Sequence, residues 1–240
     1  MTLRFRVMVF LLPAMIVPAL GAAAYFHLGP AHRPLAAILY GGSKLFLVLW
    51  PLVAGRVTRR NGGWPRGPAR HRPRTVLLTG LGVGLAMGGL LLFLYLFTPV
   101  GEAVRQAAPR VRGKVADLGV LPFYVPFSLF LALAHSLVEE YYWRRYVFGD
   151  LATLMPWSWA ALLAGLAFAA HHYVVLAAYF PPTLMLATGT GVAGAGVFWC
   201  WLYRRQRSLM APWLSHVLAD AVILAIGYQL IAAAGPPPAG

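Results

Sequence analysis

The 240-residue chain has few of the residues that a water-exposed surface needs. It contains only six Asp and Glu residues, and charged residues make up 11% of the chain against 60% hydrophobic residues. A soluble globular domain carries roughly 25% charged residues, so this composition excludes that class and predicts a protein of the lipid bilayer. The one cysteine, Cys200, excludes an internal disulfide framework and a cysteine-based zinc site.

The positive charge is distributed as in a membrane protein. A net charge of +14 would suit a nucleic-acid-binding protein. The basic residues, however, occur in short runs between apolar segments rather than on a polar domain, which is typical of the loops between membrane spans. We therefore predict that the chain binds no nucleic acid and that its surroundings are the lipid bilayer.

Seven apolar segments are long enough to cross a bilayer, which takes about 20 residues per helix. They cover residues 5–26, 35–55, 75–98, 121–148, 157–179, 183–203 and 209–233. The predicted fold class is all-α, a polytopic transmembrane helical bundle that forms one membrane domain over residues 1–240. Within it we distinguish three leading spans without motifs (1–120), a catalytic helical core (121–233) and a disordered Pro-rich tail (234–240).

The arginines predict how the chain is oriented. Loop 56–74 is rich in arginine, and the positive-inside rule places it in the cytoplasm, which puts the N-terminus inside and the C-terminus outside. Residues 99–120 are then an amphipathic connection on the outer side. The first segment has an alternative interpretation as a cleavable signal peptide, because Arg4 and Arg6 precede an apolar stretch and small residues. We favour an uncleaved span.

Glycines recur within two predicted spans, where they favour close packing of helices. They are Gly80, Gly84 and Gly88 in the third span, and Gly189, Gly191, Gly194 and Gly196 in the sixth.

Ionisable side chains lie within three predicted spans, where by default they mark a functional site. They are His135, Glu139, Glu140, Arg144 and Arg145 in the fourth span, His171 and His172 in the fifth, and His216 and Asp220 in the seventh. Each group has a simpler interpretation, as an interfacial ion pair or a packed polar residue. Their occurrence on three helices at similar depths favours one shared site.

The two adjacent glutamates are predicted to have different roles. Positions four apart share a helix face, so Glu140 faces Arg144, whereas Glu139 lies about 100° away on the face of His135. We predict that Arg144 neutralises Glu140 and leaves Glu139 free for chemistry. Glu139 should then converge with His172 and His216 on a cavity that opens towards the cytoplasm.

Three short motifs occur in order on these spans. Residues 139–144 (EEYYWR) match EExxxR, residues 168–172 (FAAHH) match FxxxH, and residues 216–220 (HVLAD) match HxxxN/D. Together they resemble the CPBP or Abi family of intramembrane proteases, which includes the type II CAAX prenyl endopeptidases and the lysostaphin-resistance protein A group. The resemblance covers about residues 121–225.

The resemblance implies peptide hydrolysis without a covalent intermediate. Glu139 would be the general base that activates water, His172 would help to hold that water, and His216 with the residue at 220 would stabilise the oxyanion. An aspartate donates a hydrogen bond only when protonated. We therefore favour a pairing of Asp220 with His216 that makes the imidazole the charged donor. The other motif positions, Glu140, Arg144 and Phe168, would support the site.

The residues leave the metal question open. Glu139, His172 and His216 also form the two-His, one-carboxylate set of a catalytic zinc with an open position. We favour a reaction without any cofactor, and zinc is the alternative.

The function predicted from these residues is an intramembrane peptidase of the plasma membrane, with a CAAX prenyl protease-like activity. Its partner would be a membrane-embedded or lipidated peptide or protein, and prenylation of that substrate is left open. One alternative is a non-catalytic scaffold or immunity-type binding protein. A second is a small proton-linked transporter, which would also need intramembrane Glu, His and Asp residues. The two halves of the chain show no repeat of the kind that many transporters have.

Overall fold

The computed structural model describes residues 3–28, 32–58 and 72–233, and these ranges fold into helices without a β-strand. The helices are α1 (Leu3–His27), α2 (Arg33–Thr58), α3 (Pro73–Phe97), α4 (Pro99–Gln106), α5 (Ala108–Asp117), α6 (Leu121–Leu151), α7 (Trp157–Tyr179), α8 (Pro182–Gln206) and α9 (Met210–Ala233). Within the described ranges, all of them except α4 and α5 are long and apolar enough to cross a membrane, which makes seven spans. The predicted all-α, multi-pass class is confirmed.

Parts of the predicted organisation lie outside the described residues. They include the tail 234–240 and residues 59–71 of the basic loop. The orientation of the two termini and the division into a leading and a catalytic part stay predictions. In the region predicted as an amphipathic connection, α4 and α5 form two short helices. Arg112 of α5 donates a hydrogen bond to the carbonyl oxygen of Ile231 at 2.9 Å, which attaches this connection to the end of α9.

The second half of helix α6 is buried in the bundle, and two of its tyrosines hold it to α1. Pro18 has no N–H, so the carbonyl of Ala14, four residues earlier, has no donor within α1. The Tyr142 hydroxyl donates to that carbonyl at 2.8 Å, and the Tyr146 hydroxyl donates to the carbonyl of Phe10 at 3.1 Å. In a bilayer such carbonyls need a protein donor because no water is present. Pro18 thus leaves a carbonyl group in α1 to which Tyr142 of α6 attaches.

The backbone of α6 is π-helical on both sides of the glutamate pair. The π-helical segments are Leu131–His135 and Tyr141–Phe148, and Ser136–Glu140 between them is α-helical. Short π-helical insertions are rare and are frequent at functional sites. Glu139 and Glu140 keep the α-helical step of about 100° between them. His135 and Arg144 lie in the widened turns, where a uniform α-helical wheel does not place them.

Glycines bring pairs of helices into close contact. A Cβ atom at Gly84 of α3 would lie 2.9 Å from Cα of Ser215 in α9, and one at Gly196 of α8 would lie 3.0 Å from Cα of Gly165 in α7. The predicted packing role is confirmed for Gly80, Gly84, Gly88, Gly189 and Gly196. It is wrong for Gly191 and Gly194, because a Cβ atom at either position would meet nothing within 4 Å.

We expect Gly84→Val to destabilise the protein. Gly82→Val, on the opposite face of α3, should leave the stability unchanged. A side chain at 84 would overlap Leu218 and Ser215 and force α3 away from α9, whereas a Cβ atom at Gly82 meets nothing within 4 Å. The measurement is the melting temperature of each variant in detergent. Equal melting temperatures would show that α3 and α9 separate without a stability cost.

Candidate active site

The carboxylate of Glu139 lies among three histidines from three parts of the bundle. Its Oε1 atom is 3.4 Å from Nε2 of His135 and 3.3 Å from Nε2 of His171, and its Oε2 atom is 3.9 Å from Nε2 of His216. Glu139 is only 4% exposed. A carboxylate removed from water needs hydrogen-bond donors, and the imidazole N–H groups are the donors at hand.

Glu140 connects the bundle interior to His216. Its Oε2 atom is 3.2 Å from Nε of Arg144, and its Oε1 atom is 2.8 Å from Nδ1 of His216. The contact with Arg144 matches the predicted pairing, and the contact with His216 is an addition to it. Because Nδ1 of His216 donates to Glu140, the other ring nitrogen, Nε2, faces Glu139. Glu140 therefore orients the imidazole that meets the free carboxylate.

Arg144 is fully buried between aromatic rings. Its guanidinium carbon lies 4.5 Å from the centroid of the Phe168 ring and 4.9 Å from that of Trp199. Its Nη1 and Nη2 atoms have no hydrogen-bond partner among the described residues. The negative faces of the two rings and the carboxylate of Glu140 balance its charge. This placement gives Phe168 a concrete role, because the ring covers the arginine.

Of the two adjacent histidines on α7, His171 contacts Glu139. The neighbouring His172 has Nδ1 3.1 Å from the carbonyl oxygen of Phe168, and its ring packs against Phe168 with centroids 4.7 Å apart. The rings of His171 and His172 are themselves 4.0 Å apart. In the described ranges, the predicted residue His172 is not within ion-pair distance of Glu139. A signal for His171 exists in the sequence, since it continues the small-residue stripe of Ala161 and Ala164 through Phe168 at helical spacing.

Trp199 holds His216 by a contact that lies outside the three sequence motifs. The His216 ring stacks on Trp199 with centroids 4.4 Å apart, and the Trp199 indole N–H donates to Oγ of Ser215 at 2.8 Å. Nε2 of His216 lies 3.5 Å from Oδ1 of Asp220, one turn along α9. The imidazole therefore has a carboxylate near each nitrogen, which can balance a positive charge on the ring.

The cluster is closed on one side and open on the other. Arg144 and Glu140 are fully buried, whereas the side chains of His135 and Asp220 are 21% and 25% exposed. Tyr124 near the start of α6 bonds to the carbonyl of Leu224, whereas Glu140, further along α6, bonds to His216, which comes earlier in α9. The two helices therefore run antiparallel, which places both partly exposed groups on the side away from Arg144. In the predicted topology Arg144 is at the cytoplasmic end of α6. The more exposed side of the cluster thus lies away from that end of α6, and the opening towards the cytoplasm stays a prediction.

The side chains proposed as zinc ligands do not form a metal site in the structure. Among the residues described, no group of three or more His, Cys, Asp or Glu side chains is arranged to hold a metal ion. Glu139 and His216 approach each other, but Nδ1 of His172 is engaged with the carbonyl of Phe168. The cofactor-free reaction stays a prediction, with zinc as its alternative.

The described residues thus combine seven helices long and apolar enough to cross a membrane with a buried glutamate that lies close to histidines of several helices. Residues 121–222, from the start of α6 into α9, match the family model of the Rce1-like type II CAAX prenyl endopeptidases. This match supports a CPBP family intramembrane protease, and the resemblance carried by the three motifs is confirmed. Searches of curated proteins and of solved structures found no match.

Proposed function

We propose that this protein hydrolyses a peptide bond of a prenylated peptide or protein inside the membrane, with water activated by Glu139. The observation that supports this best is the Glu139 carboxylate, which is nearly buried and has two imidazole nitrogens within 3.4 Å. The family supports a CAAX-type intramembrane protease in general, with a membrane-embedded peptide as substrate. The prenyl group, the reaction steps and the plasma membrane as the location are parts of the proposal.

In the proposed reaction Glu139 takes one proton from a water molecule, and the resulting hydroxide adds to the carbonyl carbon of the substrate. The carbonyl oxygen becomes an oxyanion next to Nε2 of His216. His216 donates one N–H to Glu140 and, when Nε2 is also protonated, donates the other to the oxyanion. Glu139 then returns its proton to the leaving amine as the C–N bond breaks. Asp220 balances the charge of the imidazole, which is the role expected for an aspartate at this position.

The two histidines of α7 have separable roles in this proposal. His171 donates to Glu139 and fixes the direction of the carboxylate, whereas His172, predicted to hold the water, lies one helical step further along α7. We expect His171→Ala to reduce turnover by at least about 10-fold, since removal of one charged hydrogen bond costs about 1.5–3 kcal/mol.

The comparison is the turnover of His171→Ala against that of His172→Ala at equal amounts of folded protein. A larger loss for His172→Ala, with normal activity of His171→Ala, would contradict the assignment of His171 and restore His172 as the main histidine of α7.

The proposed function is tested with purified protein and a fluorogenic peptide that carries a farnesylated cysteine near its C-terminus. The expected result is cleavage at one bond, identified by mass spectrometry, with a slower reaction for the same peptide without the farnesyl group. Cleavage should persist in the presence of a zinc chelator. Loss of cleavage with chelator and recovery with zinc would support the zinc alternative. Cleavage of neither peptide would favour a non-catalytic scaffold, and proton uptake by proteoliposomes would favour a transporter.

A further inference from the structure

A lysine of α2 lies next to the candidate active site and outside the segment that matches the family. Between Arg33 and Arg56, Lys44 is the only charged residue of this span. A charge within a span is costly, and by default it faces a functional site or a counter-ion. Nζ of Lys44 lies 3.3 Å from Nε2 of His135 and 5.0 Å from the centroid of the Tyr40 ring. Among the described residues, no carboxylate lies within ion-pair distance of it.

The nitrogen that Lys44 contacts is also the nitrogen that contacts the catalytic carboxylate. Nε2 of His135 is 3.3 Å from Nζ of Lys44 and 3.4 Å from Oε1 of Glu139. An ammonium group can only donate. If Lys44 donates to Nε2, this nitrogen carries no hydrogen and cannot donate to Glu139. If Nε2 carries the hydrogen, Lys44 loses its acceptor. The two contacts cannot both be hydrogen bonds at the same time.

An anionic group bound by Lys44 would remove this conflict. A carboxylate has two acceptor oxygens and no donor, so it complements an ammonium group with three N–H donors. With Lys44 engaged, Nε2 of His135 could keep its hydrogen and donate to Glu139. The side chain of His135 is 21% exposed, so a carboxylate could reach this point from outside the bundle.

The distances indicate which carboxylate of a peptide would fit. One imidazole nitrogen separates Lys44 from Glu139, so a carboxylate on Lys44 and a carbonyl beside Glu139 would be roughly one to three residues apart at about 3.5 Å per residue. A chain end at this distance from the cleaved bond satisfies this geometry. An acidic side chain close to the cleaved bond offers the same chemistry.

We propose that Lys44 binds the C-terminal carboxylate of the peptide substrate and thereby sets the distance from the chain end to the bond that is cleaved. The inference rests on the proposed peptidase function. It makes Lys44 a specificity-determining residue, contributed by a leading span that carries no motif.

The test measures binding separately from cleavage. A fluorescent farnesylated peptide is prepared with a free C-terminal carboxylate and as the C-terminal amide, and both are bound to Glu139→Gln protein, which retains the bound peptide. We expect the acid to bind about 10- to 100-fold more tightly than the amide, the range for a charge-assisted hydrogen bond. Lys44→Met in the same background should remove this preference, and Lys44→Arg, which keeps the charge, should retain most of it.

A third peptide identifies the source of the carboxylate. This peptide ends in a C-terminal amide and has glutamate as its last residue. If it bound as tightly as the peptide with the free C-terminal carboxylate, an acidic side chain would suffice, and the assignment to the chain end would be overturned. Equal binding of acid and amide to the Lys44-containing protein would overturn the proposal, and so would an unchanged preference in Lys44→Met. If Lys44 only positioned His135, Lys44→Met would lower the turnover of acid and amide by the same factor.

The outcome is distinguishable from a failure of the proposed function. A protein that prefers the acid through Lys44 but cleaves no peptide would retain the carboxylate site and contradict the peptidase. Lys44→Met removes a charge from a membrane span, so its melting temperature should equal or exceed that of the unchanged protein. A lower melting temperature with loss of binding to both peptides would show that Lys44 has a structural role, which also overturns the proposal.

Discussion

Replacement of Glu139 by Gln is expected to lower peptide cleavage by about 10²–10⁴-fold, the range for loss of a general base. The amide fills the same space beside His135 and His171 but cannot accept a proton from water. The protein should still fold, because no helix contact is removed. The measurement is the initial rate of cleavage of the farnesylated peptide at equal amounts of monodisperse protein.

The matched control is Glu102→Gln, an equal change of charge in α4 at an exposed carboxylate that pairs with Arg105. It should leave the rate unchanged. If Glu139→Gln cleaved as fast as the unchanged protein, Glu139 would have no part in catalysis, and Glu140 would be the remaining candidate for the base.

Replacement of Arg144 by Ala is expected to destabilise the protein by about 3–5 kcal/mol, the range for breaking one partner of a buried ion pair. The change leaves the carboxylate of Glu140 without its cation in a fully buried position and empties the space between Phe168 and Trp199. Unfolding is followed by melting temperature in detergent. Arg205→Ala, an exposed arginine at the end of α8, is the control and should melt like the unchanged protein.

The double variant Arg144→Ala with Glu140→Ala separates two contributions. It should be more stable than Arg144→Ala alone because no unpaired charge is left. It should not recover activity, because His216 loses the acceptor of its Nδ1 hydrogen at 2.8 Å and with it the orientation of its ring. Equal melting of the single variant and the unchanged protein would mean that the pair contributes nothing to stability.

Two series of side-chain contacts, one from the buried side and one from the more exposed side, meet at Glu139. From the buried side, Arg144 contacts Glu140, which in turn orients His216. From the open side, Lys44 contacts His135, whose Nε2 also approaches Glu139. On the buried side the charges of Arg144 and Glu140 are fully buried, and aromatic rings cover the arginine. On the more exposed side, the ammonium group of Lys44 has three N–H donors, and among the described residues His135 Nε2 is its one imidazole contact. This is therefore the side on which a substrate can be recognised.

The fold could be predicted closely from the sequence, and so could the set of residues from which the site is built. A helix that crosses a bilayer depends on a local run of apolar residues that satisfies its own backbone hydrogen bonds, which a single segment reveals. Ionisable side chains are rare within such runs because they are costly there. The few that occur, such as Glu139, Glu140 and His216, therefore stood out without knowledge of any contact.

Only the tertiary structure decided which of these side chains meet. It selected His171 rather than His172 as the contact of Glu139, gave Glu140 a second bond to His216, and brought Lys44 of α2 to the cluster. The pairing of side chains on different helices depends on the rotation and depth of each helix. Close contacts at Gly84 and Gly165, together with the π-helical turns of α6, determine this rotation and depth. Rotation and depth depend on many residues that are distant in the sequence, so no single segment reveals them.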